Sequence, residues 1–387
     1  MKNKILIVFF SFFFSSVADA QTIYFPDTIW QVKTPAEMKM NQVLLDSAVK
    51  FAQANENKKF DRDMRIGTLK AYADEPDFKI IGPTKERGGP AGLIIKNGYI
   101  VAQWGDINRV DMTNSVTKSF LSTVAGLAVD ERLIKNVTDK VNTYVWDGTF
   151  EGPHNSKITW DNLLTQSSDW SGTQFGLPDW ADRPPKEGSI DDWKNRKLNE
   201  PGTVFKYNDV RVNVLAYSLL QVWRKPLPMI LKKKIMDPIG ASTTWRWYGY
   251  DNSFVNIDGI MMQSVSGGGH HGGGLFISAS DQARFGLLFL RKGKWKTQQL
   301  ISEKWVKAVH QSSSANKAYG YMWWINSSKK WKDISPEIYY ADGAGGNYIV
   351  IDNEHDLVVV TRWIDESKMD EFMNLVEQSI TNQSNRN

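Results

Sequence analysis

The sequence of 387 residues contains no cysteine. Without thiols the chain has no disulfide, no cysteine nucleophile and no thiolate metal ligand. Its stability must therefore come from an apolar core, which a chain of this length is long enough to form. The apolar and charged fractions, 41% and 23%, are those of an ordinary globular protein.

The chain also has little excess charge. Its 47 basic residues nearly balance its 43 acidic residues, which leaves a net charge of +4. So small an excess, spread along the chain, does not provide the basic surface that nucleic-acid binding requires. The sequence therefore predicts no nucleic-acid partner.

Long apolar runs are confined to the first residues of the chain. Lys2 and Lys4 precede an apolar run over residues 5–14, and alanines stand at positions 18 and 20. This pattern is typical of a secretory signal peptide and predicts cleavage after residue 20. The alternative is an uncleaved anchor, for which the run is short. We therefore expect a bacterial periplasmic or secreted protein with no stable membrane insertion after cleavage.

The order of predicted elements divides the rest of the chain into two parts. Residues 21–84 are predicted as an N-terminal arm with one helix, which Thr34 caps and which runs to about Gln53. The segment that follows this helix shows no clear element. Residues 85–387 form the main domain, with a mainly helical lobe over about 130–260. The pattern favours an α/β fold of the α+β type, in which an antiparallel sheet from distant segments is flanked by helices.

The most regular segments of the main domain give definite predictions. A hairpin is predicted over 91–105, because Asn97-Gly98 favours a tight turn between apolar strands. Helices are predicted at 209–223, 280–291 and 369–380, and strands at 347–352 and 357–362.

One serine and one lysine stand out as candidate catalytic residues. Ser-x-x-Lys occurs four times, at Ser47, Ser115, Ser314 and Ser327. Only Ser115 combines a helix start with an apolar helix body. There Lys118 follows one turn later on the same face, where a neutral amine can take the proton of the serine hydroxyl. The helix start also leaves backbone N–H groups free near a developing oxyanion.

Two further pieces are candidates for the same site. Tyr207 lies between a Pro-Gly turn and a predicted helix, where its phenol can move a proton. Beside a charged lysine its pKa is expected to fall. Residues 341–347 are rich in glycine at a strand opening, where a backbone N–H can approach a ligand. Taken singly, the first is better read as a core tyrosine or one adjacent to an N-cap, and the second as an ordinary turn before a strand.

Together these pieces resemble a known family. Ser115 with Lys118, then Tyr207, then the glycine-rich strand opening are similar to the motif set of the serine β-lactamases and penicillin-binding proteins. The closest branch is the class C β-lactamase-related one, with its family VIII carboxylesterases and 6-aminohexanoate-dimer hydrolases. Residues 163–168, 272–281 and 350–360 resemble further segments of that branch. The resemblance implies a β-lactamase/transpeptidase-like fold.

The resemblance also implies a mechanism. Ser115 would form an acyl-enzyme that water hydrolyses, and Lys118 and Tyr207 would share the proton transfers, with the base left open between them. The oxyanion would be held by the backbone N–H groups of Ser115 and Ala344. The substrate would be a small-molecule ester or amide, and no metal or organic cofactor is implied. The oligomeric state stays open.

The sequence departs from the family at two positions. The third motif, Lys/His-Thr/Ser-Gly, falls on Ala341, Asp342 and Gly343, so the cation that holds a β-lactam carboxylate is missing. Asp209 replaces the usual asparagine of the second motif, and it either adds negative charge to the site or caps the next helix. A carboxylate at position 342 that faced the cleft would repel anions. We therefore expect neutral or cationic esters or amides and little β-lactamase activity.

Histidine and tryptophan supply the last candidates. His270 and His271 lack the spacing and the third ligand of a metal site, so we predict no metal and place His270 on the cleft rim. Most of the 16 tryptophans are expected in the core, but Trp170, Trp180 and Trp193 are candidates for lining an apolar or sugar-binding cleft. The sequence thus predicts an exported serine hydrolase. The alternatives are a cell-wall D,D-peptidase or β-lactamase, and a non-catalytic binding protein of the same fold.

Overall fold

A six-stranded antiparallel sheet with helices on both faces organises the structure, a computed structural model that describes residues 23–380. The helices are α1 Gln42–Ala54, α2 Met64–Ala71, α3 Thr117–Asp130, α4 Gly152–Asn155, α5 Trp160–Leu164, α6 Ile190–Lys194, α7 Asp209–Trp223, α8 Leu227–Leu231, α9 Ala279–Leu290, α10 Glu303–Val309 and α11 Met369–Gln378. The strands are β1 Ala91–Lys96, β2 Tyr99–Trp104, β3 Asp111–Met112, β4 Thr173–Gln174, β5 Leu177–Pro178, β6 Arg246–Ile257, β7 Ile260–Val265, β8 Gly274–Ile277, β9 Lys294–Trp295, β10 Gln298–Gln299, β11 Trp324–Ile325, β12 Tyr339–Gly343, β13 Asn347–Asp352 and β14 Leu357–Arg362. The predicted signal peptide lies outside the described residues.

The main sheet joins the two ends of the described chain. Its strand order is β11-β12-β13-β14-β1-β2, so the early hairpin β1–β2 is added to the late strands through the pairing of β1 with β14. A four-stranded sheet, in the order β3-β8-β6-β7, leads into α3. The predicted fold class, an antiparallel sheet flanked by helices with a helical lobe, is confirmed.

Strand alternation divides the core into two layers. In β1, Leu93 and Ile95 belong to the inner cluster, whereas Ile94 belongs to the outer one. Successive side chains of a strand point to opposite faces of the sheet, so a sheet covered on both faces reads as a continuous apolar run. The outer layer is closed by α1 and α11, and the inner layer by α3, α7 and α9.

Helix α3 lies at the centre of the inner layer. Every residue from Thr117 to Ala128 is buried, including Lys118. A helix that is surrounded on all sides cannot shift without breaking its packing, because protein interiors are close-packed. It therefore holds the first turn, and the serine before it, in a fixed place.

The predicted N-terminal helix is two elements. Thr34 does bond reciprocally with Glu37, as a helix-capping pair does, but the turn at Ala36–Met38 ends at Lys39, which has a φ of +57°. Helix α1 then starts at Gln42, with Asn41 as its N-cap. The apolar stripe of the sequence spans both elements and hides the break.

Two regions were missed by the sequence analysis. Strands β6 and β7 lie at the end of the predicted helical lobe, and the residues in the middle of β6 are poor strand formers that mark an irregularity in its pairing with β7. Helix α2 falls in the stretch for which no element was predicted. It is short and contains Gly67, whose Cα faces the backbone of Asp61.

The remaining definite predictions agree with the structure. The hairpin forms with Asn97 and Gly98 at positive φ, and the helix at 209–223 has the predicted bounds. The strands at 347–352 and 357–362 also have the predicted bounds. Between residues 23 and 380, no helix combines the length and the apolar character needed to cross a bilayer.

Candidate active site

Ser115 lies on a single helical turn, Asn114–Val116, between β3 and the buried helix α3. Asn114 adopts a φ of +47°, a conformation that asparagine tolerates better than most residues. Its side-chain Nδ2 donates to the carbonyl oxygen of Ala344 at 2.7 Å. The serine turn is therefore tied directly to the end of β12.

Gly343 allows the serine turn to approach β12. A Cβ atom at this position would lie 2.3 Å from the carbonyl oxygen of Thr113 and 3.1 Å from the backbone nitrogen of Val116. Only glycine fits such a contact. The structure thus brings Gly343 and Ala344 beside the turn that carries Ser115.

Lys118 contacts the serine as the sequence predicts. Its Nζ lies 2.7 Å from Ser115 Oγ, and its side chain is only 1% exposed. Burial lowers the pKa of the Lys118 ammonium and outweighs the opposing effect of the nearby Asp209 carboxylate. A lowered pKa raises the fraction of neutral amine, which is the form that accepts a proton.

Asp209 pairs with Lys118 and does not cap the following helix. The N-cap of α7 is Asn208, whose side chain accepts from the backbone N–H of Arg211 at 3.0 Å. Asp209 begins the helix, and its Oδ1 lies 2.6 Å from Lys118 Nζ. The capping alternative for Asp209 is therefore wrong, and its charge belongs to the site.

Gly268 leaves room for this ion pair. A Cβ atom at position 268 would lie 1.8 Å from Asp209 Oδ1 and 2.3 Å from Lys118 Nζ. Gly268 belongs to a glycine-rich run, and residues 267–274 are buried throughout. Here glycine serves close packing against the two charged groups.

Tyr207 completes the group around the serine. Its hydroxyl is close enough to Ser115 for that side chain to affect the pKa of the phenol, and Lys118 Nζ lies 4.6 Å from the centre of its ring. The ring stacks on Trp324 at 5.8 Å. Burial, and then the charge of Asp209, raise the pKa of the Tyr207 phenol well above its usual value. This direction is opposite to the fall in pKa predicted from the sequence, where the charge of Lys118 was considered without burial and without the carboxylate of Asp209.

Arg183 was missed by the sequence analysis. Its guanidinium donates to Asp209 Oδ2 at 2.8 Å, pairs with Asp182, and lies 3.1 Å from His270 Nδ1. The same group lies 5.4 Å from the centre of the Tyr207 ring. Arg183 thus extends the Lys118–Asp209 pair into a buried network of alternating charges.

His270 is buried in this network and does not lie on the cleft rim. Its Nε2 lies 2.7 Å from Glu75 Oε2, and its ring contacts Tyr72 and Phe78 edge-on. Glu75 also accepts from the backbone N–H of Arg183 at 3.3 Å. Residues 72–78 come from the segment for which no element was predicted, and no motif in the sequence marks them as part of the site.

The histidine pair also forms part of a possible ligand set. Donor atoms of Glu75, His270 and His271 lie within 4.8 Å of one another. However, Glu75 and His270 bond to each other, and His271 Nδ1 lies 2.8 Å from the carbonyl oxygen of Lys79. These donors are engaged with protein partners, so the arrangement supports a hydrogen-bonded network better than an open coordination site.

Asp342 points away from the serine turn. Its carboxylate lies 3.2 Å from Lys330 Nζ and close to Tyr348, whose ring belongs to the outer core cluster. The next residue, Gly343, faces the serine turn, as strand alternation requires. The expected repulsion of anions by a carboxylate in the cleft therefore loses its basis, although the Asp342 charge still contributes to the raised pKa of Tyr207.

The three candidate tryptophans occupy different places. Trp170 is 3% exposed, packs in the inner cluster and donates from its Nε1 to the carbonyl oxygen of Thr149 at 2.8 Å. Trp180 and Trp193 instead line a cavity of about 270 Å³ beside Arg183 and Lys206. Only these last two lie where a ligand can reach them.

The other Ser-x-x-Lys pairs have no comparable surroundings. Ser47 lies inside α1, and its hydroxyl donates to the carbonyl oxygen of Val43 at 2.8 Å. Ser314 and Ser327 donate to backbone carbonyl groups on the surface. Ser115 is therefore the serine of the four that contacts its lysine in a buried setting.

Comparison with known proteins identifies relatives by sequence. A profile of the family described as Beta-lactamase matches residues 108–363, which is more than half of the chain. The chain is also 26% identical over 197 residues to a Bacillus subtilis (strain 168) protein provisionally named penicillin-binding protein PbpX. That match covers 48% of each protein, so the chain spans about half the length of this curated relative.

Solved structures show the same architecture. EstCE1, described as a hydrolase with promiscuous acyltransferase activity, matches with a TM-score of 0.56 at 15% identity, over 87% of this chain and 99% of the other. A Bacillus anthracis protein provisionally named 6-aminohexanoate-dimer hydrolase matches with a TM-score of 0.52 at 16% identity, over 74% and 77% of the two chains. At such identities these likenesses establish the fold alone.

Proposed function

The chain belongs to the β-lactamase family, and we propose that it is a serine hydrolase that cleaves an ester or amide bond of a small molecule through an acyl-enzyme on Ser115. The observation that carries this proposal is the 2.7 Å contact between Lys118 Nζ and Ser115 Oγ. A serine hydroxyl becomes an effective nucleophile when an adjacent base removes its proton. The amine at this position provides such a base.

In the proposed acylation step, neutral Lys118 accepts the proton of Ser115 as Oγ attacks the substrate carbonyl carbon. Burial of the amine lowers its pKa and so supports this role. The oxyanion that forms is held by the backbone N–H groups of Ser115 and Ala344. Support for this pairing comes from the bond between Asn114 Nδ2 and the Ala344 carbonyl oxygen, which keeps the two segments together.

Tyr207 is proposed to act as the general acid. The raised pKa of its phenol keeps the proton on the oxygen at neutral pH, which suits donation to a leaving group better than proton abstraction. The closeness of its hydroxyl to Ser115 supports this role. Water then attacks the acyl-enzyme. The Tyr207 phenolate takes the proton of this water, and the Lys118 ammonium returns its proton to Ser115 Oγ.

A cell-wall D,D-peptidase or β-lactamase is the second candidate. The partial similarity to a relative provisionally named as a penicillin-binding protein favours it. The absence of a cation at Ala341, where the family holds a substrate carboxylate, argues against it. We therefore propose an ester or an amide outside the β-lactam class as the substrate.

The test uses p-nitrophenyl acetate and p-nitrophenyl butyrate with the purified protein, and nitrocefin in parallel. We expect ester turnover that Ser115→Ala abolishes and Ser47→Ala leaves intact, because Ser47 is the matched serine of an unrelated Ser-x-x-Lys pair. Nitrocefin turnover of similar efficiency would favour the second candidate. If Ser115→Ala retained full ester turnover, the proposal would be wrong.

We also propose that the protein is exported. The support is the pattern of residues 1–20, with two lysines, an apolar run and alanines at the cleavage site. N-terminal sequencing of the protein recovered from the periplasm or the medium is expected to start at Gln21. Recovery of uncut protein from the membrane fraction would favour an anchor instead.

A further inference from the structure

The cavity beside Arg183 has a composition that the proposed chemistry does not explain. Its walls include the apolar side chains of Trp180, Pro185, Trp193 and Val204, and Lys206 is among the polar residues that line it. Val204 is 44% exposed, so the apolar wall is open to a ligand. A volume of about 270 Å³ lies just below the range of whole drug-sized ligand sites and suits one arm of a substrate.

The cavity is connected to the candidate active site at two points. Arg183, which lines it, also contacts Asp209 and lies over the ring of Tyr207. Lys206 is the residue that precedes Tyr207 in the chain. Arg183 therefore contacts both the cavity and the Tyr207 ring, so the cavity adjoins the candidate active site through this side chain.

Most charges around the cavity are already paired. Asp169 accepts from Arg196 at 2.7 and 2.8 Å and from Arg211 at 2.7 Å. Arg183 is paired with Asp182 and Asp209. Because Asp169 and Arg183 are already neutralised by these partners, neither is a strong site for a charged ligand group.

Lys206 is the exception among the charged residues that line this cavity. Within residues 23–380 its ammonium forms no ion pair, although the side chain is half-buried. Burial lowers the pKa of this ammonium, and the positive charge of Arg211 lowers it further. The carboxylates of Asp182 and Asp179 oppose this lowering without forming an ion pair with the ammonium. A half-buried cation with no ion-pair contact is unfavourable, and an anionic ligand group would offset that cost.

We propose that this cavity, the Lys206 cavity, is a subsite that binds a carboxylate attached to an apolar part of the substrate. The carboxylate pairs with Lys206, and the apolar part lies between Trp180 and Trp193. This inference rests on the proposed function, because the cavity is a subsite only if Ser115 reacts. It reverses the expectation of neutral or cationic substrates, whose basis was a cleft-facing Asp342.

The test compares two esters that differ only in charge, mono-p-nitrophenyl adipate and its methyl ester. The wild-type protein is expected to prefer the anionic ester, and Lys206→Met is expected to lower the ratio of the two kcat/KM values about tenfold. Lys206→Arg should retain most of the preference, because it keeps the charge. Lys197→Met, which changes an exposed lysine of the same segment, should leave the ratio unchanged. An unchanged ratio in folded Lys206→Met protein would overturn the subsite while leaving the hydrolase proposal intact.

A binding measurement tests the Lys206 cavity without relying on catalysis. Isothermal titration calorimetry of the Ser115→Ala protein is expected to show binding of 4-phenylbutyrate that weakens about tenfold when Lys206→Met is added. The neutral 4-phenylbutanol should bind weakly to both proteins. This experiment does not need turnover, so anion binding in the cavity is tested separately from the hydrolase proposal. Absence of 4-phenylbutyrate binding, or binding equal to that of the alcohol, would overturn the subsite.

Discussion

Asp209 and Lys118 form a fully buried ion pair, with Oδ1 2.6 Å from Nζ and each side chain 1% exposed. Removing two charges from water is costly, and their attraction offsets that cost only with good geometry and further hydrogen bonds. Both conditions hold here, because Lys118 also contacts Ser115 and Asp209 also accepts from Arg183. The pair fixes the amine against the serine and at the same time sets the charge that the amine experiences.

Replacing Tyr207 with phenylalanine is expected to affect substrates according to their leaving group. A general acid contributes about 10²- to 10⁴-fold, so an ethyl ester or an amide should lose about that much in kcat. A p-nitrophenyl ester should lose less, because its leaving group departs without a proton. Steady-state kinetics on both substrates, with Tyr248→Phe as the partly exposed control, gives the comparison. Equal losses on all leaving groups would contradict the role of Tyr207 as an acid.

Replacing Asp209 with asparagine is expected to move the acid limb of the pH profile of kcat/KM to lower pH. The negative charge of Asp209 raises the pKa of Lys118 against the stronger lowering by burial. Without that charge the pKa falls further, so the amine becomes neutral, and the serine reactive, at lower pH. Asp191→Asn, at an exposed position, is the control. A limb that stayed in place or moved upward would show that its titration does not belong to Lys118.

Replacing Gly268 with alanine is expected to lower kcat/KM by about 100-fold or more. The added methyl group would overlap the Lys118–Asp209 pair, and a displacement of about 1 Å at a reacting group can cost that much. Gly89→Ala is the matched control, since the nearest atom to its added Cβ is a guanidinium nitrogen of Arg62 at 3.4 Å. Circular dichroism should show that both variants fold. Activity of Gly268→Ala within twofold of wild type would be inconsistent with the described packing.

Replacing Trp170 with phenylalanine is expected to reduce stability and leave KM unchanged. The change removes buried volume and the hydrogen bond to the Thr149 carbonyl group, which together should cost about 1–3 kcal/mol in the free energy of unfolding. Trp146→Phe is the control, because Trp146 is 83% exposed and its replacement should change stability by less than about 0.5 kcal/mol. Urea denaturation measures both. A raised KM with unchanged stability would return Trp170 to the binding cleft.

Several parts of the site were predictable because they depend on short stretches of chain. Ser115 and Lys118 are three residues apart at a helix start, and the geometry of one turn brings their side chains together. Strand alternation also separates Asp342 from Gly343, so the face of Asp342 could have been inferred from the apolar pattern of β12. That inference needed the bounds of β12, which the sequence analysis did not establish.

The partners of the lysine were not predictable in the same way. Arg183 and Glu75 lie in irregular, polar segments with no periodicity and no recognised spacing, and the family profile starts only at residue 108, after Glu75. The predicted fall in the pKa of Tyr207 was also wrong, because the structure raises it. That direction depends on burial and on a carboxylate, and burial is a property of the whole fold.

The family resemblance, the antiparallel core and the serine–lysine pair were therefore predictable, since they follow from short motifs, local geometry and the alternation of apolar residues. Three features could be read only from the folded chain: which carboxylate faces Lys118, where Asp342 and Trp170 point, and which lysine of the cavity has no ion pair. These outcomes depend on contacts between residues far apart in the chain, such as the 91 positions between Lys118 and Asp209. Such contacts form only when the packed layers bring distant segments together and exclude water from the charges between them.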